Sequence, residues 1–210
     1  MVRKLKPVIV QRELVECRLR VFSPLEFSRI FKVSLRATQG FLKRYSKPKA
    51  GLFYKLRNGL YCLKTHLPPS YLLANKIYNP SYVSLDTALS YYGMIPETVY
   101  SVTSVSTKTT REFTTPWLVF SYQKIKRQAF TGYRPMEIDG ATVFIAEPEK
   151  ALVDFLYFVD LKQRLLNDRL DLRKISLQRA LEFAELFSRP SLIKLVKQLY
   201  ARRNIPQKIY

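Results

Sequence analysis

Arg36, Gln39, Gly40 and Lys43 recur at helical spacing, so three donor side chains and one glycine share a face, with Arg44 at its edge. These residue types suit the reading of a DNA groove. An arginine can grip a guanine edge through two N–H groups, a glutamine can grip an adenine edge, and a lysine meets a phosphate as a point charge. Ala37, Thr38, Phe41, Leu42 and Tyr45 fall on the other face, which holds the helix on its partner. Thr38 also carries a hydroxyl and is counted among the contact residues. Gly40 weakens a helix, and a face pressed close to DNA is one reason to accept that cost.

Several elements must position this face. Ser34 marks the helix start. An earlier start is more complete: Ser23 can cap, Pro24 suits the first helical position and Glu26 sits three residues after the cap. Together they predict a capping box, and Phe22 and Phe27 have the spacing of a hydrophobic staple. After the second helix, Leu52–Arg57 and Leu60–Leu63 alternate around Asn58-Gly59. That dipeptide is a strong hairpin signal, because both residues accept a positive φ. Arg57 and Asn58 would sit at the tip with Lys55 beside them, and Lys47, Pro48 and Lys49 form a basic connection. Two short helices followed by a hairpin is the order of a winged helix-turn-helix, which implies sequence-specific DNA binding.

The same order occurs in modules that bind proteins, and a polar helix face is commonly only solvated. Charge tilts the choice. Residues 1–66 hold 16 Lys/Arg and 3 Asp/Glu, a net of +13, whereas residues 67–210 hold 20 and 13, a net of +7. A basic module of this kind is the electrostatic footprint of nucleic-acid binding.

The 210 residues allow one or two domains, and two are expected: a winged helix-turn-helix over 1–66 and an α+β domain over 67–210. An apolar fraction of 47%, with 13 Phe and 14 Tyr, argues against disorder. Cys17 and Cys62 make neither a disulfide framework nor a metal-ligand pair, so a reducing cytoplasm is the expected compartment. Val8-Ile9-Val10 is too short for a signal-peptide core. No apolar run approaches the ~20 residues of a membrane span, and no strongly basic amphipathic helix with an aromatic apolar face points to a membrane surface.

The stretch Lys64-Thr-His-Leu-Pro-Pro-Ser70 reads as the boundary. Beyond it, helices are expected over Ser70–Tyr78 and Ser84–Tyr92, the second capped by Ser84 and ended by Gly93. Strands are expected over Val99–Thr107, Trp117–Ile125 and Ala141–Ile145, with turns near Thr115-Pro116 and Asp139-Gly140. After Pro148 three apolar stripes at helical spacing follow. The second part is therefore α+β, a small sheet backed by a helical end.

A converging set of reactive groups is not evident, so no catalytic residue, metal or cofactor is expected. The single histidine, His66, stands in the proline-rich boundary, and no glycine-rich phosphate loop occurs. Asp139, Glu147, Glu149, Lys150 and Asp154 invite comparison with metal-dependent nucleases, but Pro148 stands where their acid-x-lysine triplet needs an acid. Glu147 and Glu149 instead suit a helix N-terminus, and Lys150 and Asp154 can pair one turn apart. A second basic cluster comprises Lys108 and Arg111 after one strand, Lys124, Lys126 and Arg127 after the next, and Arg134. If the two strands are adjacent, these ends share a face that could contact DNA or an acidic partner; the alternative is a merely solvated strand end.

Three separated segments occur in one order: Arg57-Asn-Gly-Leu-Tyr61, Pro80-Ser-Tyr-Val-Ser-Leu-Asp-Thr-Ala-Leu-Ser-Tyr-Tyr-Gly-Met-Ile-Pro-Glu97, and Ile145-Ala-Glu-Pro-Glu-Lys-Ala-Leu-Val-Asp154. In these the chain resembles the antitoxin family of type IV toxin–antitoxin systems, the AbiE abortive-infection class, from about Phe22 to about Tyr157. The resemblance implies an N-terminal winged helix that binds inverted repeats in its own promoter. On such a repeat two molecules could place their helices in adjacent major grooves, so a dimer on DNA is compatible with this reading. It implies a C-terminal domain that counters a nucleotidyltransferase-like toxin encoded beside it. Binding of the toxin, modification of it and protection of its target are all compatible with the resemblance. The runner-up expectation is a stand-alone winged-helix regulator whose second domain senses a ligand.

Overall fold

Pro7 sits at the start of the first helix, α1 (Pro7–Glu16), whose Val10 and Leu14 lie one turn apart and are buried. This helix was not expected: its apolar face is only two residues wide. The computed structural model describes residues 5–47, 51–97 and 100–203. Among them are eight α-helices and two sheets, so the chain is α+β. No helix among the described residues is long and apolar enough to cross a membrane. The chain divides into two compact units, residues 1–77 and 78–210. The sequence expectation had placed the division at 66/67.

In the first unit α1 is followed by β1 (Val21–Phe22), α2 (Pro24–Phe31), α3 (Leu35–Tyr45), β2 (Phe53–Arg57), β3 (Leu60–Leu63) and α4 (Ser70–Ile77). The expected pair of helices and the hairpin are present. The capping box forms in full: Ser23 Oγ accepts from the Glu26 N–H at 3.2 Å, and the Ser23 N–H donates to Glu26 Oε2 at 2.7 Å. The staple forms too, with the Phe22 and Phe27 rings 5.7 Å apart. The short strand β1 adds to β3, giving a three-stranded antiparallel sheet in the order β1-β3-β2. Val10, Leu14, Phe22, Phe27, Phe31, Leu42, Phe53 and Leu63 form one core. Helix α3 is therefore fixed on one side by a buried cluster of aromatic and aliphatic side chains and leaves the other side to solvent.

In the second unit β4 (Ser81–Val83), α5 (Leu85–Tyr91), β5 (Ser101–Ser106), β6 (Arg111–Thr114) and β7 (Val119–Lys124) come first. They are followed by β8 (Tyr133–Ile138), β9 (Ala141–Ala146), α6 (Pro148–Asp160), α7 (Leu177–Glu185) and α8 (Pro190–Arg203). The sheet has six strands in the order β6-β7-β5-β4-β9-β8, twice the number anticipated. The β5–β7 and β4–β9 pairs are parallel and the others antiparallel. The three expected helices after Pro148 are all present, and α6 packs on α5, α7 and α8. Its face is almost wholly buried from Lys150 to Phe158.

The expected cap of α5 is corrected. Ser84 is the N-cap residue but makes no side-chain cap bond. Its hydroxyl donates instead to Asp154 Oδ2 at 2.8 Å. Thr103 Oγ1, from the neighbouring strand, accepts the Thr87 N–H at 3.1 Å and so does the capping from outside the helix. Gly93 ends α5 as expected, with φ 66°.

Candidate nucleic-acid interface

Helix α3 begins with Ser34 Oγ accepting the Ala37 N–H at 3.2 Å. Its buried residues are Thr38 and Leu42, one turn apart, with Phe41 and Tyr45 half-buried beside them. Arg36, Gln39, Gly40, Lys43 and Arg44 are all exposed. No side-chain hydrogen bond or ion pair engages the four polar ones within the described residues. The expectation that Thr38 joins the contact set is overturned. It is 0% exposed, and its hydroxyl has no hydrogen-bond partner among the described residues. The same i, i+4 spacing that aligns it with Leu42 turns it into the core.

Gly40 stands in the middle of the exposed face. A Cβ built there meets nothing within 4 Å. Packing among the described residues therefore gives no reason for glycine at a position where alanine would hold the helix better. Gly51 is the opposite case. A Cβ there would run into the carbonyl oxygens of Tyr45 and Lys47, 2.6 Å from the first. The chain leaving α3 folds tightly back on itself, closed by Gly51 N–H to the Lys47 carbonyl at 3.0 Å. Lys64 Nζ donates to that same carbonyl at 3.1 Å and lies 5.1 Å from the Tyr54 ring centroid. This clamp on the connection escaped the sequence, since nothing local ties Lys64 to Lys47. Pro48 and Lys49, two of the three expected basic-connection residues, lie outside the described residues.

The hairpin turns at Asn58-Gly59, but only Gly59 takes a positive φ, 75°. The pairing shifts register between Lys55 and Arg57. The turn thus closes with one left-handed residue and an irregular strand, where two left-handed residues had been expected. Lys55 and Asn58 are exposed. Arg57 is exposed but engaged: its Nε donates to the Ile77 carbonyl at 2.6 Å and its Nη1 to the Asn58 carbonyl at 2.9 Å. Its first role is to tie the hairpin tip to the last carbonyl of α4, that of Ile77, where a cation is favoured. Only its remaining N–H groups are left for a phosphate.

In the second unit the condition set on the other basic cluster is met: β5 and β7 are adjacent, with Ser106 beside Lys124. Arg111 opens β6 and pairs with Tyr122 on β7. Lys108, Arg111, Lys124, Lys126 and Arg127 are exposed around that end of the sheet. Arg134 is exposed too but does not join them, since β8 is the opposite edge strand from β6. Two are tied down. Lys108 Nζ donates to the Asn79 carbonyl over the Tyr78 ring, and Lys126 Nζ donates to the Phe187 carbonyl at 2.6 Å.

The acidic cluster disperses. Glu147 pairs with Arg179, and Glu149 accepts the Ser176 N–H at 3.2 Å. Asp139 has φ 51° in the turn before β9. Lys150 and Asp154 pair one turn apart, as their spacing predicts, but both are 0% exposed. Asp154 also accepts from Tyr82 at 2.9 Å and from Ser84, and Lys150 lies 4.8 Å from the Phe187 ring centroid. Burial pushes the Asp154 carboxyl up and the Lys150 ammonium down; the opposite charge of each works against this, as do the two hydroxyls on Asp154. Burial also raises the Tyr82 hydroxyl well above its ordinary range, and the neighbouring carboxylate adds to the rise. Among the described residues no three His, Cys, Asp or Glu side chains are grouped to hold a metal. A comparison of the chain with protein-family models finds no match, and neither does a comparison with curated proteins.

Proposed function

We propose that this chain is a DNA-binding antitoxin that represses its own operon, with no catalytic activity of its own. In this reading the first unit is a winged helix-turn-helix. Helix α3 enters a major groove, Arg36 and Gln39 read base edges, and Lys43, Arg44 and Lys55 hold phosphates. Two copies occupy the halves of an inverted repeat, their recognition helices one turn of DNA apart. The observation that carries the DNA part is the face of α3, where Arg36, Gln39, Lys43 and Arg44 are exposed around a glycine with open space above it. The antitoxin part rests on the two sequence motifs of the second unit, Pro80–Glu97 and Ile145–Asp154. Its partner would be a nucleotidyltransferase-like toxin in the cytoplasm, met directly or through the toxin's target.

The DNA part is tested by binding to the chain's own upstream DNA and to a scrambled duplex. Arg36→Ala lowers the ratio of the two affinities, whereas Lys55→Ala weakens both alike. Equal losses for Arg36→Ala remove its base-reading role. The antitoxin part is tested by growth of a bacterial host when the adjacent gene is induced alone or with residues 1–210. A harmless neighbour, or no rescue, refutes it.

One observation favours a second reading, a regulator that senses a small ligand. An open cavity of about 660 Å³ in the second unit is lined by Asp86, Ile95, Glu97, Tyr100, Glu112 and Asn167, among others, a volume in the range of small-molecule sites. Asp86 and Glu97 are already paired with Arg164 and Arg169 there. Absence of a toxin-like neighbouring gene would favour this reading.

A further inference from the structure

The cavity of the second unit reverses the sign of the chain's charge. Its floor and two of its sides come from residues 77–107 and 112–123, which contain no Lys, Arg or His in a chain with 36 Lys/Arg. They do contain Asp86, Glu97 and Glu112, and all three line the space. The register explains the floor. Ser101 pairs with Val119, Val119 pairs with Thr114, and Glu112 lies two residues along from Thr114, so Ser101, Val119 and Glu112 share one face of the sheet. Helix α5 sits on that same face, because Thr103, two residues along from Ser101, accepts the Thr87 N–H. Asp86 of α5 thus forms one side, and Ile95, Glu97 and Tyr100 form another. Beyond α5 the sheet face is open: Glu112 and Thr114 are exposed and Val119 is half-buried. Arg164 and Arg169, from the loop between α6 and α7, neutralise Asp86 and Glu97. Glu112 has no hydrogen bond or ion pair among the described residues. The Tyr100 ring, 87% exposed, stands at the same space.

We infer that this cavity binds a small organic amine, its protonated nitrogen beside Glu112 and its apolar or aromatic body against Tyr100, Ile95 and Val119. The inference rests on the ligand-sensing reading of the cavity and names the class of ligand. An anion is disfavoured, because the lining supplies three carboxylates and both arginines at the site are spent on two of them. A neutral ligand would take water from Glu112 and return no charge to it. An ammonium group answers that carboxylate, and the apolar lining buries the rest of the molecule. A volume of about 660 Å³ suits a whole small molecule more than the tip of a single side chain.

The test titrates the full chain with phenylethylamine, phenylethanol and phenylacetate, which share a ring and differ in charge. The readout is the NMR shift of the Ser101, Glu112 and Val119 backbone amides. The amine is expected to bind about two- to fivefold more tightly than the alcohol, the worth of one exposed ion pair, and phenylacetate more weakly than either. Glu112→Gln abolishes the preference for amine over alcohol. Tyr100→Ala weakens amine and alcohol alike, by about two- to tenfold. Both side chains are exposed, so thermal melting of the two variants matches that of the parent. Equal binding of amine and alcohol, or a preference that survives Glu112→Gln, overturns the amine assignment and leaves a ligand-binding cavity. No shift at these amides with any of the probes overturns the ligand-sensing reading itself, and the inference with it. Tighter binding of acetyl-lysine amide, with its free ammonium group, than of phenylethylamine would assign the site to a lysine of a partner protein and overturn the small-ligand assignment.

Discussion

Gly40→Ala separates folding from binding, because its two effects have opposite sign. The glycine lies inside α3, and a Cβ there touches nothing within 4 Å. The substitution therefore brings neither a clash nor new burial. What remains is helix propensity, for which alanine is better by about 0.8–1.0 kcal/mol in a helix interior. For a unit of this size that raises the melting temperature by roughly 4–8 °C, provided the unit melts as one transition. On DNA the same methyl lies between Arg36 and Lys43, on the face proposed to enter the groove. Forcing a methyl into a closely packed contact typically costs about 1–3 kcal/mol, or roughly 5- to 150-fold in Kd. The assays are thermal melting of the free protein and fluorescence anisotropy on its upstream DNA. A variant more stable yet weaker on DNA is the expected result. Undiminished affinity would show that position 40 does not approach DNA closely, and would refute the placement of α3. Absence of stabilisation would refute the claim that no intramolecular contact requires this glycine.

Other substitutions probe the two cores. Asp154→Ala leaves Lys150 buried without its partner and lowers unfolding free energy by about 3–5 kcal/mol, while the double change K150M/D154L recovers most of the loss; urea denaturation measures both. Arg57→Ala frees the Ile77 carbonyl at the end of α4 and costs about 1–3 kcal/mol in the same assay, a loss that a purely DNA-contacting arginine would not produce. Burial pushes the Cys62 thiol from 9.0 up to about 12, so the folded state holds this proton when the unfolded chain has lost it. A raised pKa contributes stability that is present below the unfolded value and lost as pH rises to the folded one. Stability should therefore fall between about pH 9 and pH 12 more steeply in the parent than in Cys62→Ala. At pH 8 only the exposed Cys17 should react with iodoacetamide.

What was legible in the sequence was local. The capping box of Ser23 and Glu26, the Ser34 start, the turn at Asn58-Gly59 and the stop at Gly93 depend on contacts within four residues, so residue types at fixed spacing were enough to place them. The apolar stripes after Pro148 were equally plain, because a 3.6-residue period is written along the chain itself. The exposed donors of α3 followed from that period as well, but Thr38 shows its limit: at the border of a stripe, only packing decides which side is buried.

What only the tertiary structure decided came from residues far apart in sequence. The strands β1, β4, β6 and β8 are two to six residues long. Such segments carry too little pattern alone and become strands when a neighbour supplies hydrogen bonds. Ser84 was a helix cap by its position and became a partner of Asp154, seventy residues on, because the buried carboxylate competes better for its hydroxyl. Arg57 was a hairpin-tip cation by its position and became an anchor for the Ile77 carbonyl. Arg111 and Lys124 acquired a common face only through the β6–β7 register. Periodicity and capping are properties of a segment and can be read from it. Pairing, burial and the choice among competing hydrogen-bond partners are properties of the assembled chain, and they settled which of the basic residues stand free.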